Sequence, residues 1–305
     1  MLKLHGVIPP VVTPLTADGA VDFPSLTRVL EHLLAGGVHA LFVLGSTSEV
    51  VFHTADTRRR IIAHAMEVVR GRVPVVAGVV DPTTDRVVEH VRHAEAEGAQ
   101  GLVVTAPFYA RTSAPEVIDH FRYVRDATAL PIIAYDLPVS VHFKLDRATV
   151  VTLAREGTIA ALKDSSGDDA GMRYILSDLA DKPEVSVMTG SELTVDAALA
   201  FGAHGVVPGL GNVDPAGYVR LWDAVQRGDF PAARKEQDRL CRLFEIVWLG
   251  IPRTSMGSSG VGGFKTAMRR LGIIETNTMA RPQRALNATE AARVDEIMRG
   301  VGLIE

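Results

Sequence analysis

Short apolar runs, rich in β-branched residues, alternate along this chain with longer stretches in which apolar residues return every three or four positions. The short runs are Val7-Ile8 with Val11-Val12, Ala40 to Leu44, Val75 to Val79, Leu102 to Thr105, Ile132 to Tyr135, Ile159 to Leu162, Val185 to Met188, and Val206-Val207. They are too short for helices and apolar throughout, the pattern of parallel strands covered on both faces. Counted from Val7, Leu41, Val75, Leu102, Ile132, Ile159, Val185 and Val206, they recur every 21 to 34 residues, the spacing of repeated βα units. The intervening helices have readable ends. Thr83 to Ala96 stops at Gly98, Ser113 to Ala127 opens with a Ser cap ahead of Pro115 and Glu116, and Leu193 to Phe201 stops at Gly202. Eight such strands favour a closed (β/α)8 TIM barrel; an open doubly wound sheet has the same periodicity and stays as the alternative.

From about Phe230 the strand pattern ends. Pro231 to Leu249, Gly263 to Leu271 and Ala288 to Met298 read as helices, separated by turns at Gly250-Ile251-Pro252 and Arg281-Pro282. The predicted organisation is a barrel catalytic domain over 1–229 and a C-terminal helical extension over 230–305. No low-complexity linker separates them, so the extension is expected to pack on the barrel.

Composition narrows the function classes. With 47% apolar and 22% charged residues, the chain is an ordinary globular one. Its net charge of −4 comes from 32 basic and 36 acidic residues without a block of either sign, which argues against nucleic acid and acidic membrane surfaces as partners. The triplet Arg58-Arg59-Arg60 lies in a helical pattern and reads as a solvated face. A lone cysteine, Cys241, excludes an intrachain disulfide and reads as a small buried hydrophobe. Ten scattered histidines show no metal-ligand spacing, and His53, His64, His90 and His93 are expected at the surface. Neither a metal nor another cofactor is expected. No apolar run nears the roughly 20 residues that cross a bilayer, and the opening stretch reaches Pro9-Pro10 without a basic segment and apolar core. A cytoplasmic location is the expectation.

In a parallel barrel the reactive groups come from the carboxyl ends of the strands. There the chain carries Gly45-Ser46-Thr47-Ser48-Glu49, Pro107-Phe108-Tyr109, Tyr135-Asp136-Leu137-Pro138 and Lys163-Asp164-Ser165-Ser166-Gly167. Lys163 follows the apolar run Ile159 to Leu162. Loss of hydration at that position would lower its pKa and make the neutral amine available to attack a ketone. A lysine that merely snorkels to water fits the same segment. The Gly45 to Glu49 stretch offers backbone amides and hydroxyls to a carboxylate, and reads equally as a hydroxyl-rich cap; it lacks the Lys-Ser/Thr ending of a Walker loop. Tyr135 and Tyr109 are each a proton relay or a wall residue.

Taken together, these segments and Gly205-Val206-Val207, in this order, resemble the dihydrodipicolinate synthase/N-acetylneuraminate lyase family of class I, Schiff-base aldolases, from about Leu4 to the C-terminal helices. The resemblance implies that Lys163 forms an imine with C2 of a 2-oxo acid, typically pyruvate. Tyr135 would shuttle protons, aligned by Thr47, while Ser46 and Thr47 hold the oxo-acid carboxylate. Gly190 and Val207 would line the pyruvate end. Tyr109 would reach into a neighbouring subunit's site, making the dimer the catalytic unit of a homotetramer built as a dimer of dimers. The sequence departs from the family at Ser48 for a glycine, Asp136 for an asparagine, and Ser140 where the synthases carry an arginine for the second substrate's carboxylate. Ser140 and His142 would suit a hydroxylated acceptor such as a sugar-derived 2-oxo acid. The expectation is a pyruvate-type Schiff-base lyase, aldolase or dehydratase, that uses pyruvate and an aldehyde. The alternatives are 4-hydroxy-tetrahydrodipicolinate synthase and a barrel that binds a 2-oxo acid without catalysis.

Overall fold

A computed structural model describes residues 4–305. Strands and helices alternate in the order β1 (Gly6–Val7), α1 (Phe23–Ala35), β2 (Leu41–Val43), α2 (Ala55–Val69), β3 (Val75–Gly78), α3 (Thr84–Ala96), β4 (Gly101–Thr105), α4 (Ala114–Asp126) and β5 (Ile132–Asp136). They continue through the short α5 (Pro138–Val141), α6 (Arg147–Arg155), β6 (Ala161–Asp164), α7 (Asp169–Asp178), β7 (Ser186–Thr189), α8 (Val195–Ala200), β8 (Gly205–Val206) and α9 (Pro215–Gln226). The last helices are α10 (Phe230–Phe244), α11 (Met256–Arg270) and α12 (Ala288–Gly300). All strands pair in parallel in the order β1-β8-β7-β6-β5-β4-β3-β2, a curled sheet wrapped by helices and consistent with a (β/α)8 fold. Between the two ends of that order, His39 N–H donates to Val7 O at 2.9 Å, Phe42 N–H to Pro9 O at 3.1 Å and Val11 N–H to Phe42 O at 2.8 Å.

Side chains divide by the strand period of two. Phe42, Ile133, Tyr135, Ala161, Met188 and Val207 meet in an inner cluster. Leu41, Ile132, Ala134, Leu162 and Val187 pack outward against the helices, in a cluster that also takes in Leu240, Leu243, Phe264 and Met268 of α10 and α11. The last helices therefore share the outer core of the curled sheet. The helix starts follow their caps: Glu116 Oε2 accepts the Ser113 N–H at 2.6 Å at the start of α4, and Asp214 accepts the Gly217 N–H at 2.9 Å at the start of α9.

The structure shifts several sequence-based boundaries. β6 begins at Ala161 rather than Ile159, and α11 begins at Met256, seven residues before Gly263. Strand β6 is placed by its register with β5, which pairs Ala161 with Ile133 and Lys163 with Tyr135, so Ile159 is left to the outer core instead. The Arg58-Arg59-Arg60 triplet is not uniformly solvated. Arg58 is buried, donating to the carbonyls of Val80 at 2.8 Å and His53 at 3.2 Å beside Asp81, while Arg59 and Arg60 are exposed. His53, His64, His90 and His93 are half-buried rather than surface groups, and burial pushes the first three below the ordinary histidine range. Cys241 is also half-buried, its thiol accepting from Gln237 Nε2 at 3.2 Å.

Candidate active site

At the carboxyl end of the sheet the chain opens a cavity of about 480 Å³ whose lining includes Thr47, Tyr135, Lys163, Gly190, Glu192 and Val207. Volume alone points elsewhere, to a groove of about 770 Å³ along α10 lined by Phe230, Arg234 and Arg239. That groove lies on the outer helical layer, away from the strand ends where a parallel α/β sheet gathers its reactive groups, so the strand-end cavity is the chemical candidate.

The β5–β6 register builds its centre. Tyr135 sits directly opposite Lys163, and both side chains continue the inward rows of Ile133 and Ala161. Lys163 is 4% exposed, as is Tyr135. Its Nζ lies 4.1 Å from the centroid of the Tyr135 ring and 5.0 Å from that of Phe42, whose ring stands edge-on to Tyr135. These ring faces attract the ammonium without taking its protons in conventional hydrogen bonds. Among the described residues no carboxylate pairs with Lys163. An amine so placed is open on the cavity side, as a nucleophile must be.

The loops that follow the strands carry strained backbone. Leu44, Glu49, Tyr109 and His142 all have positive φ, between 55° and 75°, in the loops after β2, β4 and β5. Between Leu44 and Glu49, Ser46–Ser48 form a single tight turn. Ser48 is buried, and its hydroxyl donates to Val11 O, which ties this turn to the segment after β1. Glu49 is buried as well. Its carboxylate accepts the Ala280 N–H at 2.7 Å and pairs with Lys265 of α11, whose Nζ also donates to Thr278 O at 2.9 Å. The hydroxyl loop is thus anchored to the C-terminal extension.

Asp136 and Asp164 flank the Tyr135–Lys163 pair on the outer side. Asp136 pairs with Lys144 and accepts the Leu145 N–H at 3.0 Å; burial still holds its carboxyl above the ordinary range against those contacts. The buried acid therefore comes with its own cation, eight residues away. Asp164 accepts from the backbone and hydroxyl of Ser166 at 2.8 and 2.6 Å, which folds the chain back over the end of β6. At Gly190 a Cβ would fall 1.9 Å from Ser165 Oγ and 3.1 Å from Asp164 O, so a side chain at this close approach of the β6 and β7 loops would have to displace the Ser165 hydroxyl.

Of the residues singled out from sequence, Thr47, Tyr135, Lys163, Gly190 and Val207 line one cavity. Three others do not join them within one chain. Ser46 is exposed, Ser140 is exposed on α5, and Tyr109 is 99% exposed. Thr47 makes no hydrogen bond to the Tyr135 phenol among the described residues. Glu192 was not anticipated. It is 7% exposed, accepts the Leu210 N–H at 2.8 Å, and burial pushes its carboxyl up to about 7 despite that bond and the charge of Lys163. Its place just past the end of β7, two residues beyond Gly190, was the available signal. Among the described residues no group of histidine, cysteine, aspartate and glutamate could hold a metal ion, and no helix is long and apolar enough to cross a membrane.

Comparison with known proteins places this arrangement. The model of the dihydrodipicolinate synthetase family matches residues 3–300. An uncharacterised DapA-like lyase of Halobacterium salinarum is 31% identical over 303 residues, covering 99% of this chain and 96% of the relative. A 4-hydroxy-tetrahydrodipicolinate synthase of Hyphomonas neptunium is 31% identical over 98% of this chain and 99% of its own. Among solved structures, YagE of E. coli K12, a prophage protein of the dihydrodipicolinic acid synthase family in complex with pyruvate, superposes with a TM-score of 0.92 at 29% identity, over 99% of both chains.

Proposed function

The chain belongs to the dihydrodipicolinate synthetase family, and we propose that it is a pyruvate-type Schiff-base lyase in which Lys163 is the nucleophile. The observation that carries this reading is the buried Lys163 ammonium, set against the Tyr135 ring, free of any carboxylate partner among the described residues and open to the cavity. The pyruvate complex of the structurally similar YagE supports the choice of oxo acid. The Lys163 amine adds to C2 of pyruvate and water leaves, giving a protonated imine. Loss of a C3 proton yields an enamine, which attacks an aldehyde carbon; water then releases a 4-hydroxy-2-oxo acid and the free amine. Tyr135 is the proton carrier, and Thr47 with its backbone amide holds the pyruvate carboxylate. No metal is required as a Lewis acid, because the protonated imine itself is the electron sink.

The barrel is read as closed by the bonds that join β1 and β2, with a catalytic barrel over 1–229 and a helical extension over 230–305 fastened by Glu49 and Lys265. Full exposure of Tyr109 on a strained backbone favours its insertion into a second copy, where it completes the Thr47–Tyr135 relay of a dimer within a homotetramer. Mixing inactive Lys163→Ala and Tyr109→Phe chains then restores part of the activity through hybrid sites; no recovery after verified subunit exchange removes the shared site. For the chemistry itself, pyruvate plus borohydride is expected to leave a stable secondary amine on Lys163, read by intact mass and peptide mapping. An unmodified Lys163 under saturating pyruvate would exclude the imine.

A further inference from the structure

The cavity has two unlike halves. Around Lys163 it is polar, with the hydroxyl residues Thr47, Ser165, Ser166 and Ser191. Toward solvent it is apolar, walled by Leu193, Phe244, Val247, Trp248, Met256 and Phe264. Leu193, Trp248 and Met256 are 47%, 45% and 54% exposed, so large apolar side chains stand unburied at the mouth of a reactive pocket. Such clustering of exposed apolar surface marks a surface that receives a ligand. The wall is also shaped. Phe244 and Trp248 meet edge to face at 6.2 Å and 79°. Beside them α11 presents Gly257 and Gly260, where an added Cβ would meet nothing nearer than Gln283 Nε2 at 3.7 Å and Val247 Cβ at 3.9 Å. These glycines keep the α11 side of the mouth free of side chains beside the indole. Charge points the same way. Lys163 and Glu192 are the acidic or basic residues lining the cavity, and no arginine does so. The pyruvate carboxylate already draws on the one cation in the lining, Lys163, so a second carboxylate in the acceptor would find no further cation among the described lining residues.

Building on the lyase reading, we propose that the second substrate is an aldehyde carrying an aryl group, which lies at the apolar mouth against Trp248 and the Gly257–Gly260 stretch of α11. The pyruvate enamine forms the new bond from its C3 to the aldehyde carbon, the aldehyde oxygen takes up a proton, and hydrolysis of the imine releases a 4-aryl-4-hydroxy-2-oxo acid. The reverse reaction cleaves the same bond. This reading replaces the sugar-derived acceptor suggested by Ser140 and His142, both of which are exposed and outside the cavity lining.

The test uses the full chain in two arms. Borohydride trapping with pyruvate reports the imine alone; its absence overturns the lyase reading and this inference together. With trapping established, condensation of pyruvate with benzaldehyde, glyceraldehyde and aspartate semialdehyde is compared. A kcat/KM for benzaldehyde at least about tenfold above the other two is expected, the scale of burying one aromatic face. A preference for either polar aldehyde, with the imine intact, overturns the aryl acceptor while leaving the lyase standing. Trp248→Ala and, independently, Gly260→Leu, which adds bulk at the mouth, should raise the benzaldehyde KM by roughly tenfold relative to the pyruvate KM. An unchanged ratio in both variants removes the aryl site.

Discussion

Lys163 and Lys265 are buried to nearly the same degree, 4% and 0% exposed, yet their ammonium groups meet opposite surroundings. Lys265 is enclosed by the Glu49 carboxylate and Thr278 O, and burial pulls its pKa down against the attraction of Glu49. Lys163 has two aromatic faces and an open cavity. Burial alone therefore does not single out a nucleophile. A buried amine whose donors are taken is a fastener, here between the hydroxyl loop after β2 and the helical extension, 216 residues apart. A buried amine whose donors are left open is available for bond formation. The two sites are coupled, because the loop that Lys265 holds through Glu49 is the loop that presents Thr47.

The largest effect that could break this contrast is on turnover. Lys163→Arg is expected to abolish activity, since a guanidinium stays protonated and cannot form the imine. The same change should leave a folded protein by circular dichroism. Activity above a few per cent of wild type would mean that the amine is not the nucleophile. Tyr135→Phe keeps the ring against Lys163 but loses the phenol, and turnover should fall roughly 10²–10⁴-fold, the scale of general acid–base catalysis, while borohydride trapping still modifies Lys163. An unaltered kcat would assign Tyr135 to the wall.

Stability should separate the two lysines in the other direction. Lys265→Met leaves Glu49 buried without its cation, and the unfolding free energy should fall by about 3–5 kcal/mol in a denaturant titration. Adding Glu49→Gln to Lys265→Met should recover a large part of that loss, because the amide needs no counter-ion and still accepts the Ala280 N–H. Lys163→Met separates no ion pair and should be far milder. If Lys163→Met were the more destabilising change, the contrast between fastener and nucleophile would be lost.

What could be read from the sequence follows the range of the interactions. The strand recurrence, the Ser113–Glu116 cap and the position of Lys163 at a strand end are set by neighbours in the chain, and they were legible. The ion pair of Glu49 and Lys265 depends on the full circuit of the fold, and Lys265 lies in a glycine-rich helix with no local pattern to mark it. Arg58 failed as a predicted surface residue for the same reason, since its partners Val80 and Asp81 come from the loop after β3. Ser140 was assigned to the pocket by resemblance alone, and α5 carries it to the surface. The apolar mouth was illegible because Leu193, Trp248 and Met256 come together only through the packing of the last helices against the β7 end of the sheet.

The smallest expected effect concerns the two buried carboxyls that mirror the lysines. Glu49 has its cation, whereas Glu192 has backbone donors at Leu210 and Gly209 and an attraction to Lys163, with which it forms no ion pair. Burial consequently raises the Glu192 carboxyl from an ordinary 4.5 to about 7. Between those values the folded protein holds a proton that the unfolded chain has released. Stability must then decline as pH rises from about 4.5 to 7, and level off above. Glu192→Gln cannot ionise but keeps an oxygen to accept the Leu210 N–H, so it should lack this decline and exceed wild type at pH 8 by about 1–3 kcal/mol. Unfolding titrations at pH 5, 6, 7 and 8 measure it directly, and parallel curves for the two proteins would refute the assignment. Because the Lys163 charge lowers the Glu192 pKa, Lys163→Met should carry the decline to higher pH, and Glu192→Gln should abolish that extension as well.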